Sequence, residues 1–193
     1  MSELRVFDEP HFDEREALRY AGVRSDDAES KRLCLEALEE ARPVLKYRVC
    51  YCELKLTIRG DLCDFGCFSV TSAALAAALC GARKVVLFLA SVGHGIDALI
   101  RRYSKTSPAR ALMLGAIGSE RVEALADEFT KSVADEYGMQ PLKRFSPGYA
   151  DLPLSLQGEV FRQLRPEAYT GAYLSESFFI SPTKTVTAFL GLK

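Results

Sequence analysis

The 193-residue chain carries 25 Lys and Arg against 26 Asp and Glu, a formal net charge of -1, with 48% hydrophobic and 26% charged residues. That is enough apolar material for one globular domain with a sizeable core and too little length for two. The two charge signs are interspersed, which excludes the basic stripe that a nucleic-acid backbone requires. The apolar stretch Val85 to Val92 is far short of a membrane span, and the charged opening MSELRVFDEP has no leader-like apolar segment. The expectation is a cytoplasmic protein with neither nucleic acid nor membrane as partner.

In chain order, Asp13 to Ala21 and Asp26 to Arg42 read as helices, the second stopped by Pro43, with Leu33, Ala37, Leu38 and Ala41 on one face that would cover a sheet. Val44 to Ile58, rich in Val, Tyr and Leu, reads as a strand. Gly60-Asp61 marks a turn toward a second strand near Phe65 to Val70. Thr71 to Leu79 follows a Thr-Ser cap as a buried helix. Lys84 to Ala90 is a central strand and Gly95 to Arg102 a helix. From Pro108 a long helix runs to Tyr137, with Gly138 as its stop and one gap in the apolar spacing at Gly118. Ser155 to Leu164 is a short helix, and Lys184 to Gly191 a final strand entered through Ser181-Pro182. The whole predicts an α+β fold in a single domain, mainly an antiparallel twisted sheet flanked by helices. A helical N-terminal part covers about 11–42, ahead of a core over about 43–193.

Six cysteines require a choice between disulfide, metal and burial. Cys50-x-Cys52 and Cys63-x-x-x-Cys67 lack the two-residue spacing of zinc sites, so no metal is expected. Cys34 and Cys80 fall in helical patterns and read as core. Gly93-His94-Gly95-Ile96-Asp97-Ala98 fits a dinucleotide fingerprint, but the stretch that should form its second strand, Leu112 to Glu120, belongs to the long helix. The glycines read instead as a tight strand-to-helix turn, where a phosphate or carboxylate could rest on the helix N-terminus. His94 and His11 lack partners for catalysis or metal binding, and His11 lies in a terminus that reads as disordered. No catalytic residue is assigned.

Arg144-Phe145-Ser146-Pro147-Gly148-Tyr149 combines a forked cation, a stiff bend, a naked backbone and an aromatic face. A zwitterionic, sulfonium-bearing nucleoside such as S-adenosylmethionine needs all four; a Pro-Gly loop with a surface Arg accounts for the same residues. Glu123, on the long helix, shares a stripe with Ala116 and Ser119, and its carboxylate could accept hydrogen bonds from such a ligand or simply face water.

The segment RFSPGYADLPLSLQGEVFRQL resembles the activation (reactivation) domain of cobalamin-dependent methionine synthase. The likeness continues in LSESFFISPTKTVTAFLGL, KVVLFLASVGHGIDALIRRYS and SPARALMLGAIGSERVEALADEF, so it covers roughly Arg15 to Leu192 and is closest to free-standing short forms. It implies that Arg144, Ser146, Gly148 and Tyr149 bind S-adenosylmethionine. An acidic residue on the long helix would join them, Glu123 in the leading register and Asp127 if the register shifts by one turn. Glu176 matches a family Leu-Thr-Glu-Ser stretch and reads more simply as a surface turn acid. The fused domain of the family is longer at both ends and draws ligand contacts from there, which implies a more open pocket in this chain.

By the same resemblance the protein would work in reductive methylation, the reactivation of a cobalamin held by a separate methionine synthase or corrinoid methyltransferase. A flavodoxin-like or other one-electron donor would supply the electron. No Asp-x-His-x-x-Gly sequence is present, so the corrinoid is expected on the partner. Two alternatives stay open: a docking partner of a corrinoid protein that has lost S-adenosylmethionine binding, and a cobalamin-independent methyltransferase.

Overall fold

The computed structural model describes residues 2–193. In chain order it contains β1 (Glu3–Val6), α1 (Glu14–Tyr20), α2 (Ala28–Ala41), β2 (Arg48–Leu54), β3 (Thr57–Arg59), β4 (Leu62–Asp64), β5 (Ser69–Thr71) and α3 (Ala73–Ala78). There follow β6 (Lys84–Ser91), α4 (Gly95–Tyr103), α5 (Pro108–Tyr137), α6 (Gln157–Leu164), α7 (Glu167–Thr170), β7 (Tyr173–Leu174), β8 (Ile180–Ser181) and β9 (Thr185–Leu192). The main sheet has the order β1-β2-β6-β9 and is antiparallel throughout.

β6 shows why its sequence lacks alternation. Val86, Phe88 and Ala90 pack into a core with α1, α2 and α5, while Val85, Leu87 and Leu89 pack into a second core with α3 and α6. A strand covered on both faces must be apolar at every position, whichever way its side chains point. β9 divides in the same way, with Ala188 and Leu190 on the α5 side and Phe189 opposite, stacked on Phe65 with ring centroids 5.1 Å apart.

The long helix behaves as its sequence predicts at both ends. Pro108 occupies the first turn, and Gly138 takes the left-handed conformation (φ 61°) that closes the C-terminus. The gap at Gly118 has a packing cause: a Cβ there would stand 2.8 Å from Cγ of Lys184, whose stem crosses the helix at that point.

Several expectations are corrected. Val44 to Ile58 is not one strand: a 3-10 turn at Arg42–Val44, β2 and β3 divide it, and β3 belongs to a separate three-stranded sheet, β3-β4-β5. The strand expected at Phe65 to Val70 is displaced to β4 and β5. Between them Phe65 N donates to Phe68 O, and Gly66, at φ 80°, donates to Asp64 Oδ1. Turn chemistry at Asp64 and Gly66 outweighs the aromatic propensity around it. The N-terminal helices pack chiefly on α5 and share one core with it and the sheet. Cys80 is exposed just beyond the end of α3, whereas Cys34 is fully buried.

The N-terminus is ordered. β1 pairs with β2, and Arg5 reaches Ser132 Oγ (2.8 Å), Tyr51 Oη (2.9 Å) and Glu136 Oε2 (2.7 Å). Further on, the carbonyls of Pro10 and His11 each accept from the buried Arg121 at 2.7 Å. Leu4 and Val6 remain exposed, so the strand forms through backbone pairing and Arg5, with no apolar pattern to announce it.

Candidate functional site

The chain after α5 turns back along the free edge of β9. Leu142 N donates to Gly191 O (2.8 Å), Phe145 N to Phe189 O (3.0 Å), and Phe189 N returns a bond to Phe145 O (2.8 Å). These bonds fix the register of the segment against the sheet. Phe145 packs toward the second core and its neighbour Arg144 projects the other way, toward α5, as alternation requires.

There Nη2 of Arg144 lies 3.1 Å from Glu123 Oε2 and 2.8 Å from Asp127 Oδ1. Glu123 and Asp127 are one helical turn apart, so both carboxylates meet one guanidinium nitrogen. Either register of the sequence reading therefore places an acid on Arg144. Its other terminal nitrogen, Nη1, is buried and has no hydrogen-bond partner among the described residues. A buried, unsatisfied cationic donor is costly unless something fills the position.

Beside this guanidinium lies a cleft of about 330 Å³ lined by Glu123, Lys143, Arg144, Ser146, Tyr149 and Val186, among others. It continues into a smaller hollow of about 180 Å³ that adds Gln157, Ile180 and Thr187. Gln157 and Thr187, both buried, exchange hydrogen bonds of 2.8 and 3.0 Å and form a fixed polar floor. Tyr149 is 68% exposed and its ring borders both spaces. On the other side of Glu123 and Asp127 a groove of about 470 Å³ runs between α1 and α5, lined by Asp13, Glu16, Glu120 and Glu128 with Arg19 and Lys131 as its cations. Burial, then the nearby charge of Glu123, pushes the Tyr20 phenol in this groove above its ordinary range.

The bend is braced from outside. Gly148, at φ 93°, donates to Leu152 O (2.9 Å), and Tyr149 N donates to Ser146 O (3.3 Å). Two residues after Tyr149, Asp151 accepts from Ser72 Oγ (2.6 Å) and Ala73 N (2.7 Å) at the start of α3. The hydrogen bond from Ser72, followed by the helix amides, holds the Asp151 carboxyl below its ordinary range. The loop is thus anchored at one end to β9 and at the other to a helix N-terminus.

Arg144, Ser146, Tyr149 and Glu123 come together around one cleft. Gly148 does not line it; its amide is engaged within the turn and its conformation shapes the bend. Glu176 sits exposed at the tip of the β7-β8 hairpin and borders neither space. The sequence reading missed Val186 and Thr187, which reach the cleft because the Arg144 segment pairs with β9, and Gln157 at the start of α6, which is held there by Thr187; the alternation of β9 was the one available signal for the strand residues.

No family model and no curated protein matches the sequence. Among solved structures, a crystal structure titled as the MetH reactivation domain bound to AdoHcy superposes with a TM-score of 0.78 at 16% identity, covering 99% of this chain and 78% of that one. The chain has the fold of that reactivation domain. The antiparallel sheet and the single long helix expected from the sequence are thus both present, and the reactivation-domain fold extends over the N-terminal strand and helices as well. No helix is long and apolar enough to cross a membrane among the described residues. Nor do the described residues gather three or more His, Cys, Asp or Glu in a metal-binding group.

Proposed function

We propose that the Arg144 cleft binds S-adenosylmethionine, and that the protein presents this methyl donor to a cobalamin carried by a separate methyltransferase chain. The observation that carries the reading is the buried, unpartnered Nη1 of Arg144 beside a cleft of about 330 Å³, a size within the range of about 300–1,000 Å³ found for small-molecule sites. A ligand carboxylate satisfies that nitrogen with a charge-assisted bond. Glu123 and Asp127, on the neighbouring nitrogen, face the ammonium and sulfonium end of the same ligand, while Tyr149 covers its flat base. The bound AdoHcy of the structural neighbour supports the nucleoside class.

The part played by this chain is placement. Arg144 fixes the carboxylate, the braced 144–149 bend orients the ligand, and the wide opening at Tyr149 leaves the methyl group accessible to a partner. Cobalamin supplies the methyl-accepting metal chemistry, together with a one-electron donor such as a flavodoxin-like protein, and this chain contributes no general acid or base. Isothermal titration of S-adenosylmethionine into wild type and Arg144→Ala tests the reading. Saturable binding lost in the variant is expected; equal affinity in both removes Arg144 from the site. Reductive methylation assayed with a corrinoid methyltransferase then separates this role from that of a docking protein without ligand.

A further inference from the structure

A separate concavity, of about 380 Å³, lies at the opposite end of β6 from the chain's β3-β4-β5 sheet. Pro43, Val44, Lys46, Arg48, Ser91, Gly93, His94, Gly95 and Thr170 line it, and none of these nine carries a carboxylate. Lys46 and Arg48 take part in no ion pair among the described residues. Arg48 has one long bond, Nη1 to Tyr169 O at 3.4 Å, which leaves most of its fork free. Two cations sharing a hollow without a counter-charge repel each other unless an anion joins them.

Three further features converge there. Ser91, only 1% exposed, accepts from Gly93 N (3.2 Å) and shares a hydroxyl–hydroxyl bond with Thr185 Oγ1 (3.1 Å), which holds its hydroxyl at the wall of the hollow. The hollow opens at the start of the nine-residue α4, whose capping residue His94 provides no side-chain cap. His94 Nε2 donates to Gly171 O at 3.0 Å, which fixes the ring and its tautomer, because a carbonyl only accepts. Asp97, the acid of the first turn, is engaged elsewhere by Thr183 N (2.8 Å) and Thr183 Oγ1 (2.6 Å). The close approach that builds this corner admits no side chain at Gly95, where a Cβ would lie 2.5 Å from Val44 O.

We infer that the hollow formed by Lys46, Arg48, Ser91 and the uncapped start of α4 is an anion site for a phosphoryl group, distinct from the Arg144 cleft. A tetrahedral dianion uses two cations, a buried hydroxyl and helix amides at once, whereas a carboxylate leaves some of these donors unmet. The volume exceeds that of a bare phosphate, which favours a phosphorylated small molecule.

Titration of the full chain at low ionic strength with inorganic phosphate and, separately, with glycerol 3-phosphate, followed by calorimetry, tests the inference. Saturable binding is expected, weakened about ten-fold or more in Arg48→Gln and in Lys46→Gln, since each removes a charge-assisted contact. Tighter binding of the ester identifies a phosphorylated metabolite as the ligand; tighter binding of phosphate identifies the free ion. Arg144→Ala should leave this affinity unchanged, and the thermal midpoints of the two glutamine variants should stay near wild type. Absence of saturable binding by both probes, or equal affinity in wild type and both glutamine variants, overturns it.

Discussion

Arg144 and Glu123 lie 21 positions apart in sequence and 3.1 Å apart in space, and Asp127 closes on the same guanidinium nitrogen at 2.8 Å. The pair commits one terminal nitrogen of the guanidinium and leaves the other, buried, without a hydrogen-bond partner among the described residues. If that open nitrogen receives a carboxylate, a lysine cannot replace the arginine. A single ammonium can face Glu123 and Asp127 or the ligand, but it lacks the fork to serve both. Arg144→Lys should weaken S-adenosylmethionine binding about ten-fold or more, measured by calorimetry. Asp127→Asn, at a side chain 75% exposed, should alter it by only a few-fold.

Arg121 is completely buried and binds the buried Glu120, with Nη2 2.6 Å from Oε1, while its remaining donors hold the carbonyls of Pro10 and His11. Removing the cation strands a buried carboxylate. Arg121→Ala should therefore destabilise the fold by about 3–5 kcal/mol in urea unfolding. The same variant should release residues 10–13 to rapid hydrogen exchange, because Asp13 N also depends on Glu120 Oε1 (3.0 Å).

Asp151 gives the stability a pH dependence of known sign. Its carboxyl is held below the ordinary range by Ser72 Oγ first and then by the α3 amides. Between its folded and unfolded values the unfolded chain binds more protons, so stability rises with pH across that interval. The contribution is present above the ordinary carboxylate value of about 4 and is lost as pH falls through the lower folded value. Urea midpoints recorded from about pH 5 to pH 2 should fall less steeply in Asp151→Asn than in wild type. At neutral pH the variant should also loosen the 144–149 bend and weaken ligand binding.

The cysteines divide by accessibility. Burial raises the thiols of Cys34 and Cys52 to about 11 and that of Cys50 to about 12, and Cys63 is buried too. Thiolate is the reactive form, so these four should resist alkylation in the folded protein. Cys67 and Cys80 are exposed. Iodoacetamide at pH 8 followed by peptide mass mapping should label Cys67 and Cys80 alone, and all six only after unfolding.

The sequence determined what rests on local spacing and on residue chemistry. The 3.6-residue period from Pro108 with its glycine stop set the long helix, and the short apolar run within Lys84 to Ala90 marked a central strand. Residue type singled out Arg144 and Tyr149, and the resemblance to the reactivation domain implied Glu123, or Asp127 if the register shifts by one turn. Tertiary structure made them a pair, because which acids meet the guanidinium depends on how the 140–145 segment docks on β9, a backbone pairing without a side-chain pattern. The same holds for β1, whose outward side chains are apolar, and for Lys46 and Arg48, which became neighbours of the Gly93 turn only when β2 paired with β6. Local propensity is written in consecutive residues; hydrogen-bond registry between distant segments is settled only when the chain closes on itself.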